Sequence, residues 1–436
     1  MRPRNATRKA VRTVKPEVDA PLLKKLGPGL ITGAADDDPS GIATYSQGGA
    51  AFGTGLLWTL VFTFPLMVGI QNVSARLGRV TGRGLAGIMR EHYPRPLLYA
   101  VVSMLLVANT INIAADIAAM GDALALLIGG SRYLYAIGFG VFSCALQIWL
   151  PYNRYVRILK WLTLSLFAYV AVVFVVDIPW AKVAHDALLP KISLDPQYVT
   201  VVVAIFGTTI SPYLFFWQAS LEVEDIHAVR ADRPLKESPE QAKKQLHRIK
   251  IDTMFGMAVS NLIAFFIMLT TAVTLHGQGI ADIQTSAQAA EALKPIAGEF
   301  AFLLFSFGII GTGLLAIPVL AGSAAFAVAE TFRWRRGLAL KPKAGIRFYA
   351  IIAASTLIGI ALGFTKIDPI RMLFWSAVIN GVIAVPIMVV MMRMAVNSAV
   401  MGQFVITRRL RVLGWAATGV MGFAVAAMGW QFATGG

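Results

Sequence analysis

The sequence predicts an all-α integral membrane protein with about eleven transmembrane helices. Of its 436 residues, 57% are hydrophobic and 14% charged, and the mean hydropathy is +0.66, far from the usage of a soluble domain. About eleven apolar runs have the roughly 20 residues that a spanning helix needs. The basic residues fall mainly in short loops between these runs, as in multi-pass membrane proteins.

The apolar runs account for nearly the whole chain. A basic tail, residues 1–25, lacks the apolar core of a signal peptide, so we expect it to be retained. Residues 26–436 form a single transmembrane domain. The predicted spans cover roughly residues 28–50, 55–75, 97–128, 133–151, 158–178, 198–220, 252–275, 300–329, 347–364, 371–392 and 412–432.

Charge asymmetry predicts the orientation of the chain. With the N-terminus inside, 33 of the 39 Lys and Arg residues lie in the tail and the inside loops. The positive-inside rule therefore favours eleven spans with a cytoplasmic N-terminus and an outside C-terminus. Ten spans plus a peripheral helix is the alternative. Because the net charge of +16 is explained by topology, a nucleic-acid partner is not expected.

Several kinds of chemistry are disfavoured by residue usage. Cys144 is the only cysteine, which excludes a disulfide framework and a cysteine metal cluster. No phosphate-binding glycine loop or H-E-x-x-H motif is present. The predicted loops contain all five histidines: His92, His185, His227, His247 and His276.

The first predicted span is interrupted. Its apolar run gives way to three aspartates, Asp36, Asp37 and Asp38, followed by Pro39-Ser40-Gly41. Proline lacks a backbone N–H and clashes with the preceding turn, and glycine favours unwinding. We therefore expect a break in the helix here.

The sixth predicted span is interrupted in the same way, by Gly207, Thr208, Thr209, Ser211 and Pro212. Two broken segments, five spans apart, indicate an inverted-repeat secondary transporter with its site near the bilayer midplane. Repeat one would cover about residues 26–180 and repeat two about 198–392, with one additional helix at about 412–432.

The aspartates of the first break are predicted to lie deep in the membrane. Thirteen residues separate Lys25 from Asp38, or about 20 Å of helix in a core about 30 Å thick. Carboxylates at that depth are costly and indicate function. Asp38 beside freed backbone carbonyls would suit a hard cation, with Asp37 as a further candidate. An exposed loop is the alternative.

The second break offers oxygen atoms of Thr208, Thr209 and Ser211. Because Pro212 cannot donate a hydrogen bond into the preceding turn, the carbonyls of Thr208 and Thr209 are candidate ligands. Oxygen ligands favour Mg, Mn or Ca over copper or zinc. The alternative is that these hydroxyls donate to carbonyls of their own helix.

A polar stripe marks the third predicted span. Asn109, Asn112 and Asp116 share one helix face, which indicates a wet pathway or a buried hydrogen bond between helices. Asp122 is expected at the membrane interface.

Several motifs together resemble the Nramp family of divalent metal transporters over nearly the whole chain. They are Gly27-Pro28-Gly29-Leu30, Asp38-Pro39-Ser40-Gly41, Gly48-Gly49-Ala50 and residues 71–83, QNVSARLGRVTGR. The resemblance implies a LeuT-like fold, Asp38 as a metal ligand, and transport coupled to protons.

The sequence also departs from the family pattern. Family members typically have Asp-Pro-Gly-Asn in the first span and Met-Pro-His in the sixth, whereas this chain has Gly41, Ser211 and Tyr213 at the asparagine, methionine and histidine positions. Ala119 stands where a glutamate is usual. Loss of the thioether disfavours transition metals, and the pattern is similar to the Nramp-related magnesium transporters. Ala119 and Tyr213 replace groups tied to the proton route.

These observations predict a carrier of divalent cations, Mg or Mn and also Fe, in the inner membrane. Asp38, Gly41, Thr208, Thr209, Ser211 and Asp37 are the predicted metal site. The predicted pathway and helix-break residues are Pro39, Ser40, Pro212, Tyr213, Asp116 and Asn112. The metal is the substrate, no cofactor is expected, the lipid bilayer is the other partner, and a monomer is expected.

The alternative is a symporter of a small organic substrate such as an amino acid. In that class the positive ends of broken helices face a substrate carboxylate, which three aspartates would repel. A channel and a membrane enzyme are disfavoured, because no ring of identical loops and no nucleophile, base and orienting group are present.

Overall fold

The computed structural model describes residues 32–33, 35–150, 162–229, 231–338 and 340–434, and within these ranges it contains helices and no strand. The predicted tail and the approach to the first break lie outside the described residues, apart from the last few positions before Asp36. The first nine helices are α1 (Pro39–Phe52), α2 (Leu57–Thr81), α3 (Leu85–His92), α4 (Arg95–Ile128), α5 (Arg132–Trp149), α6 (Phe167–Val172), α7 (Trp180–Leu188), α8 (Pro196–Thr209) and α9 (Pro212–Ala228).

The remaining helices are α10 (Ala242–Thr274), α11 (Ser286–Glu291), α12 (Lys294–Ala297), α13 (Ala301–Thr331), α14 (Ile346–Leu362), α15 (Pro369–Val396), α16 (Ser398–Met401) and α17 (Arg408–Thr434). Short 3₁₀ turns occur at Gly53–Leu56, Leu162–Leu166, Pro239–Gln241, His276–Gln278, Gly298–Phe300 and Gly402–Phe404.

Within the described part, seven helical segments are long and apolar enough to cross a bilayer, and α14 is a shorter apolar helix. The chain is therefore a multi-pass membrane protein. The seven segments are Pro39–Thr81, Arg95–Ile128, Pro196–Ala228, Pro239–Gln278, Lys294–Thr331, Pro369–Val396 and Arg408–Thr434.

Two details of the sequence-based expectation need correction. The fifth span was predicted to reach residue 178, but α6 ends at Val172 and turns follow. All five histidines were expected in loops, but four lie in helices: His92 in α3, His185 in α7, His227 in α9 and His247 in α10. All four residues are exposed there, so helical structure also forms outside the apolar runs.

The surface and interior have the polarity expected in lipid. Large apolar side chains such as Phe62, Phe142 and Phe423 are 47%, 50% and 71% exposed. Polar side chains including Asp38, Asn112 and all the hydroxyls of the two breaks are instead buried. An apolar exterior needs no hydrogen-bond partners from the bilayer.

The two interrupted segments lie at the centre of the bundle. Helix α1 packs against α8, α10 and α15, and α4 packs against α13, α14 and α15. Helices α8 and α15 approach closely at Gly207, where a Cβ atom would lie 2.0 Å from the carbonyl oxygen of Ala377. Only glycine allows this backbone contact, which positions the second break against α15.

The same local signal begins three of these helices. Asp38-Pro39, Asp195-Pro196 and Asp368-Pro369 each place an aspartate at the N-cap and a proline at the first helical position of α1, α8 and α15. The aspartate accepts from backbone N–H groups of the first turn, and proline has no N–H to leave unsatisfied. Asp38 differs from the other two because its cap lies inside the bundle.

Candidate metal site at the helix breaks

The first break runs from Asp36 to Asp38. Ala35 and Asp36 are still helical, Asp37 is a bend, and Asp38 is extended with ψ of 170°. Asp38 Oδ1 accepts hydrogen bonds from the Gly41 N–H at 2.8 Å and the Ser40 hydroxyl at 2.6 Å. The predicted break is therefore present, and Pro39 begins a new helix immediately after it.

The other carboxylate oxygen of Asp38 has two donors from distant helices. Asn112 Nδ2 on α4 donates at 3.0 Å, and the Tyr213 hydroxyl on α9 lies at 3.3 Å. Asn112 Oδ1 in turn accepts from the Ser376 hydroxyl on α15 at 2.7 Å. Asp38 is fully buried, and its donors come from three helices, α1, α4 and α9.

The second break lies at Ile210 and Ser211, between the end of α8 and Pro212 at the start of α9. The Ser211 hydroxyl donates back to the carbonyls of Gly207 at 2.8 Å and Thr208 at 2.9 Å. The Thr209 hydroxyl likewise donates to the Ile205 carbonyl at 2.8 Å. These hydroxyls therefore donate to carbonyls of α8, within their own predicted span, which is the alternative considered for them in the sequence analysis. Their oxygens keep lone pairs that can face a cation.

The two breaks meet at Tyr213 and at Gly41. The Tyr213 hydroxyl lies 3.2 Å from the Ala35 carbonyl oxygen, across the first break. A Cβ atom on Gly41 would be 3.2 Å from Thr208 Oγ1 and 3.6 Å from Asp38 Oδ1. The structure thus brings the predicted residues Asp38, Gly41 and Thr208 together.

Asp36 and Asp37 point to a different neighbour. The Ser260 hydroxyl on α10 lies 2.6 Å from Asp36 Oδ2 and 3.0 Å from Asp37 Oδ1. Three aspartates in sequence therefore separate into Asp38 on one side and the Asp36–Asp37 pair on the other. In the described ranges no group of three or more His, Cys, Asp or Glu side chains is arranged to hold a metal ion.

The predicted polar stripe on α4 divides between two neighbours. Asn109 Nδ2 donates to the Leu320 carbonyl and the Ser323 hydroxyl of α13, each at 2.8 Å, so it joins two helices. Asn112 reaches Asp38. Asp116 is fully buried, and neither carboxylate oxygen has a hydrogen-bond partner among the described residues.

Sequence reasoning missed Ser260, Ser376 and Asn380. Each lies in an apolar run, Ser260 next to Asn261, and nothing local distinguishes it from a hydroxyl or amide bonded within its own helix. Asn380, one turn after Ser376 in α15, is fully buried, with neither amide atom hydrogen-bonded in the described part of the chain. The only sequence signal for these three residues was that they are polar and lie within predicted spans of repeat two, which is a weak indication of a functional site.

A cavity of about 420 Å³ opens at the end of the bundle where α8 and α15 begin. Residues of α1, α8 and α15 line it, among them Gln47, Thr200, Ile370 and Phe374. Thr200 is eight residues before Thr208 on α8, about 12 Å along a helix. The cavity therefore lies on the same helices as the breaks, displaced from them toward the first residues of α8 and α15.

At the opposite end of the bundle, buried ion pairs hold helices together. Arg79, at the end of α2, is fully buried and pairs with Asp225, 3.0 Å away, and with Asp232. Arg248 on α10 pairs with Glu222 at 2.5 Å and with Asp252 at 3.8 Å. These pairs connect α2, α9 and α10 at the end that contains the basic loops.

Two interrupted helices meeting at a buried carboxylate, in a helical bundle with an apolar surface, define a membrane transporter of the LeuT-like class. Solved structures share this fold. A mutant of the manganese transporter of Eremococcus coleocola has a TM-score of 0.75 at 17% identity, covering 94% of this chain and 87% of that one. Mhp1, a nucleobase-cation-symport-1 family transporter, has a TM-score of 0.56 at 14% identity, covering 94% and 93%.

The chain belongs to the Nramp family, described as natural resistance-associated macrophage protein-like, which it matches over residues 29–431. The divalent metal cation transporter MntH of Klebsiella pneumoniae is 27% identical, covering 98% of this chain and 96% of the relative. MntH of Deinococcus radiodurans is 28% identical, covering 90% and 86%. The family predicted from the sequence is confirmed.

Proposed function

We propose that this protein moves a divalent metal cation across the inner membrane by alternating access, with Asp38 as the anionic ligand. The observation that carries the proposal is the buried Asp38 carboxylate at the junction of the two helix breaks. The relatives are named divalent metal cation transporters, and a structural neighbour is named a manganese transporter. Both agree with this substrate class.

The proposed shell is made of oxygen atoms. Asp38 supplies the charge, and Thr208, Thr209 and Ser211 supply hydroxyl and carbonyl oxygens next to it. Gly41 adds no side chain, which leaves room for water on the ion. A hard, partly hydrated cation suits such a shell, so Mg²⁺ and Mn²⁺ are the proposed substrates, with Mg²⁺ preferred on chemistry.

The proposed topology follows the charge asymmetry of the loops. In this topology the chain has eleven spans, a cytoplasmic N-terminus and an outside C-terminus. The ion pairs of Arg79 and Arg248 then lie on the cytoplasmic side. The first ten spans form two inverted repeats, and α17 is the additional helix. The protein acts as a monomer with no resident cofactor. Transport is uncoupled from protons, because Ala119 and Tyr213 replace the family's usual proton-route groups.

Uptake of metal into proteoliposomes tests the proposal. We expect Mg²⁺ and Mn²⁺ to enter without acidifying the lumen and a labelled amino acid to stay outside. Asp38→Asn keeps the side-chain volume and removes the charge, so uptake should fall at least about a hundredfold, in line with about 3 kcal/mol for a lost charged ligand. Asp177→Asn, at an exposed acid outside the cavity and the breaks, is the matched control and should transport normally.

Three results would contradict the proposal. Metal uptake that persists in Asp38→Asn would remove the assigned ligand. Uptake of amino acid instead of metal would favour the organic symporter. Obligatory proton entry with Mn²⁺ would show that Ala119 and Tyr213 do not decide coupling.

A further inference from the structure

Asp36 and Asp37 share one hydrogen-bond donor. The Ser260 hydroxyl lies within 3.0 Å of an oxygen of each, and a hydroxyl has one proton to donate. Only one of the two carboxylates can accept it at a time. The other is left without that bond, although Asp36 and Asp37 are 1% and 5% exposed.

A second observation shows that this pair lacks partners. Asp36 Oδ1 is buried and has no hydrogen-bond partner in the part of the chain that the structure describes. Within the same part, neither Asp36 nor Asp37 has a Lys, Arg or His nitrogen within 4.0 Å, whereas Arg79 and Arg248 pair with other acids. Asp38 contrasts with them, because the Gly41 N–H, the Ser40 hydroxyl and the Asn112 amide donate to its oxygens, and the Tyr213 hydroxyl, which Asp38 shares with the Ala35 carbonyl, is a further contact. Buried carboxylates without such partners are costly unless they take up a proton or a cation compensates their charge.

We propose that Asp36, Asp37 and Ser260 form a second binding position for a hard divalent cation, beside the Asp38 site. One oxygen of each carboxylate and a lone pair of the Ser260 hydroxyl are three ligands, and water completes the shell. Two carboxylates balance the charge of one divalent ion. The inference rests on the proposed function, since the ion must first enter through the breaks.

The geometry makes this position distinct from the Asp38 site and places it on a route through the bundle. Asp38 faces Asn112 and Tyr213, while Asp36 and Asp37 face α10. Thr253, seven residues before Ser260 on the same face of α10, is fully buried, and its hydroxyl has no partner in the described residues. Polar groups thus continue along α10 toward Arg248 and the basic end, so the pair receives the ion from Asp38 on its way there.

Binding of Mn²⁺ to the purified full-length protein, measured from the electron paramagnetic resonance signal of free Mn²⁺, tests this position. The wild type should bind two ions per chain. Ser260→Ala and Asp37→Asn should each weaken one of them about tenfold, as expected for the loss of one ligand of a charged site. The affinity for the other ion should stay within about twofold of the wild-type value. Asp38→Asn should remove that other ion and keep the first.

Two further variants separate a lost ligand from a damaged fold. Thr274→Ala on α10 removes a buried hydroxyl that donates only to its own helix, at the Thr270 carbonyl, and should bind two ions. Ser260→Cys puts a soft ligand at the proposed position, so Cd²⁺ should bind there more tightly than to the wild type. A misfolded variant cannot produce that gain.

The outcomes separate this proposal from the proposed function. A wild type that binds one ion, lost in Asp38→Asn and unchanged in Ser260→Ala, overturns the second position and leaves the transport proposal intact. A wild type that binds neither Mn²⁺ nor Mg²⁺ overturns both. If two ions bind and the affinity of neither changes in Ser260→Ala, Ser260→Cys or Asp37→Asn, the second ion lies elsewhere and this assignment is overturned.

Discussion

At the scale of single residues, Asp38 has two roles. It caps α1 through Gly41 and Ser40, and it presents a carboxylate to the junction of the breaks. The N-terminal end of a helix stabilises a negative charge, which offsets part of the cost of burying this carboxylate. Four donors already contact its oxygens. A cation must therefore displace one of them, and the Tyr213 hydroxyl, at 3.3 Å, is the longest contact.

The pair Asn112 and Ser376 orients that carboxylate. Because Asn112 Nδ2 donates to Asp38 and Ser376 holds the other amide atom of Asn112, we expect Asn112→Ala to raise the KM for metal uptake about tenfold. Ser376→Ala acts through Asn112 and should raise it about threefold, within the usual range for a hydrogen bond. The measurement is KM and kcat for Mn²⁺ in proteoliposomes.

Thr418→Ala is the control, since its buried hydroxyl donates within α17 to Gly414, far in sequence from either break. Loss of kcat with an unchanged KM in Asn112→Ala would mean that Asn112 acts in the conformational change and does not orient Asp38.

At the scale of helices, the two breaks differ in chemistry. The first has an anionic cap, Asp38, whose oxygens accept hydrogen bonds. The second has Ser211 at the N-cap of α9 with no side-chain capping bond, and its hydroxyl donates backward to α8. The first break therefore provides charge and the second provides neutral oxygens, an arrangement that suits a cation better than a carboxylate substrate.

The close approach of α8 and α15 gives a prediction for Gly207. A Cβ atom there would be 2.0 Å from the Ala377 carbonyl oxygen and 2.5 Å from the Gly381 nitrogen. Since both neighbours are backbone atoms, Gly207→Ala should force the helices apart, lower stability by about 1–3 kcal/mol and abolish uptake. Thermal unfolding and uptake are the measurements.

Gly138→Ala on α5 is the matched control, because nothing lies within 4 Å of a Cβ there. Normal uptake and stability in Gly207→Ala would show that α8 and α15 have room to separate without cost.

Helix α7 lies outside the spans, and Asp186 connects it to Thr54, between α1 and α2. The Thr54 hydroxyl donates to Asp186 Oδ2 at 2.6 Å, and this bond, with smaller contributions from His185 and Lys191, lowers the pKa of the Asp186 carboxyl below its ordinary value. A lowered pKa means that the stabilisation is complete above the ordinary aspartate range and is lost as the pH falls through the folded-state pKa.

We therefore expect hydrogen exchange in Trp180–Leu188 to stay slow at neutral pH and to accelerate only below about pH 4. In Asp186→Ala the segment should exchange fast at every pH, while Asp195→Ala, an exposed cap at the start of α8, should leave it unchanged. Slow exchange that persists in Asp186→Ala would show that other contacts hold the segment.

At the scale of the whole molecule, polar contacts are concentrated inside an apolar shell and at its two ends. Arg79 and Arg248 connect α2, α9 and α10 at the basic end, whereas the 420 Å³ cavity opens at the other. These pairs join α2, α9 and α10 at the basic end, so separating those helices requires breaking them.

Removal of Arg79 should release that end. Arg79→Ala removes the buried partner of Asp225 and Asp232 and leaves Asp225 with Arg248 alone, at 3.5 Å, so it should favour the conformation open at the basic end. In a Cys144→Ala background, the only cysteine being Cys144, a cysteine introduced by Thr253→Cys should then react faster with a water-soluble thiol reagent added on the basic side.

Lys294→Ala breaks an exposed pair with Glu291 and is the control, since such pairs contribute little. Equal reaction rates in Arg79→Ala and its parent would show that other contacts close the basic end.

The sequence by itself determined the class of the molecule, its family, the two breaks and the position of Asp38 at the first of them. These features depend on local chemistry. The length of an apolar run determines whether it can span the membrane, proline and glycine interrupt a helix, and a carboxylate in an apolar run is costly and therefore indicates function. Hydropathy misplaced the end of the fifth span, because residues 173–176 are apolar although the helix ends at Val172. It also placed four helical histidines in loops, because hydropathy does not register helical structure in polar sequence.

Only the tertiary structure decided how three adjacent aspartates divide. Asp38 turns toward Asn112 and Tyr213, and Asp36 and Asp37 turn toward Ser260, 224 and 223 positions away in the chain. Ser376 reaches Asn112 over 264 positions. A single buried hydroxyl has the same local sequence signal whether it bonds to its own helix or to a distant carboxylate. Helix packing, which brings those distant positions within hydrogen-bond range, makes the difference.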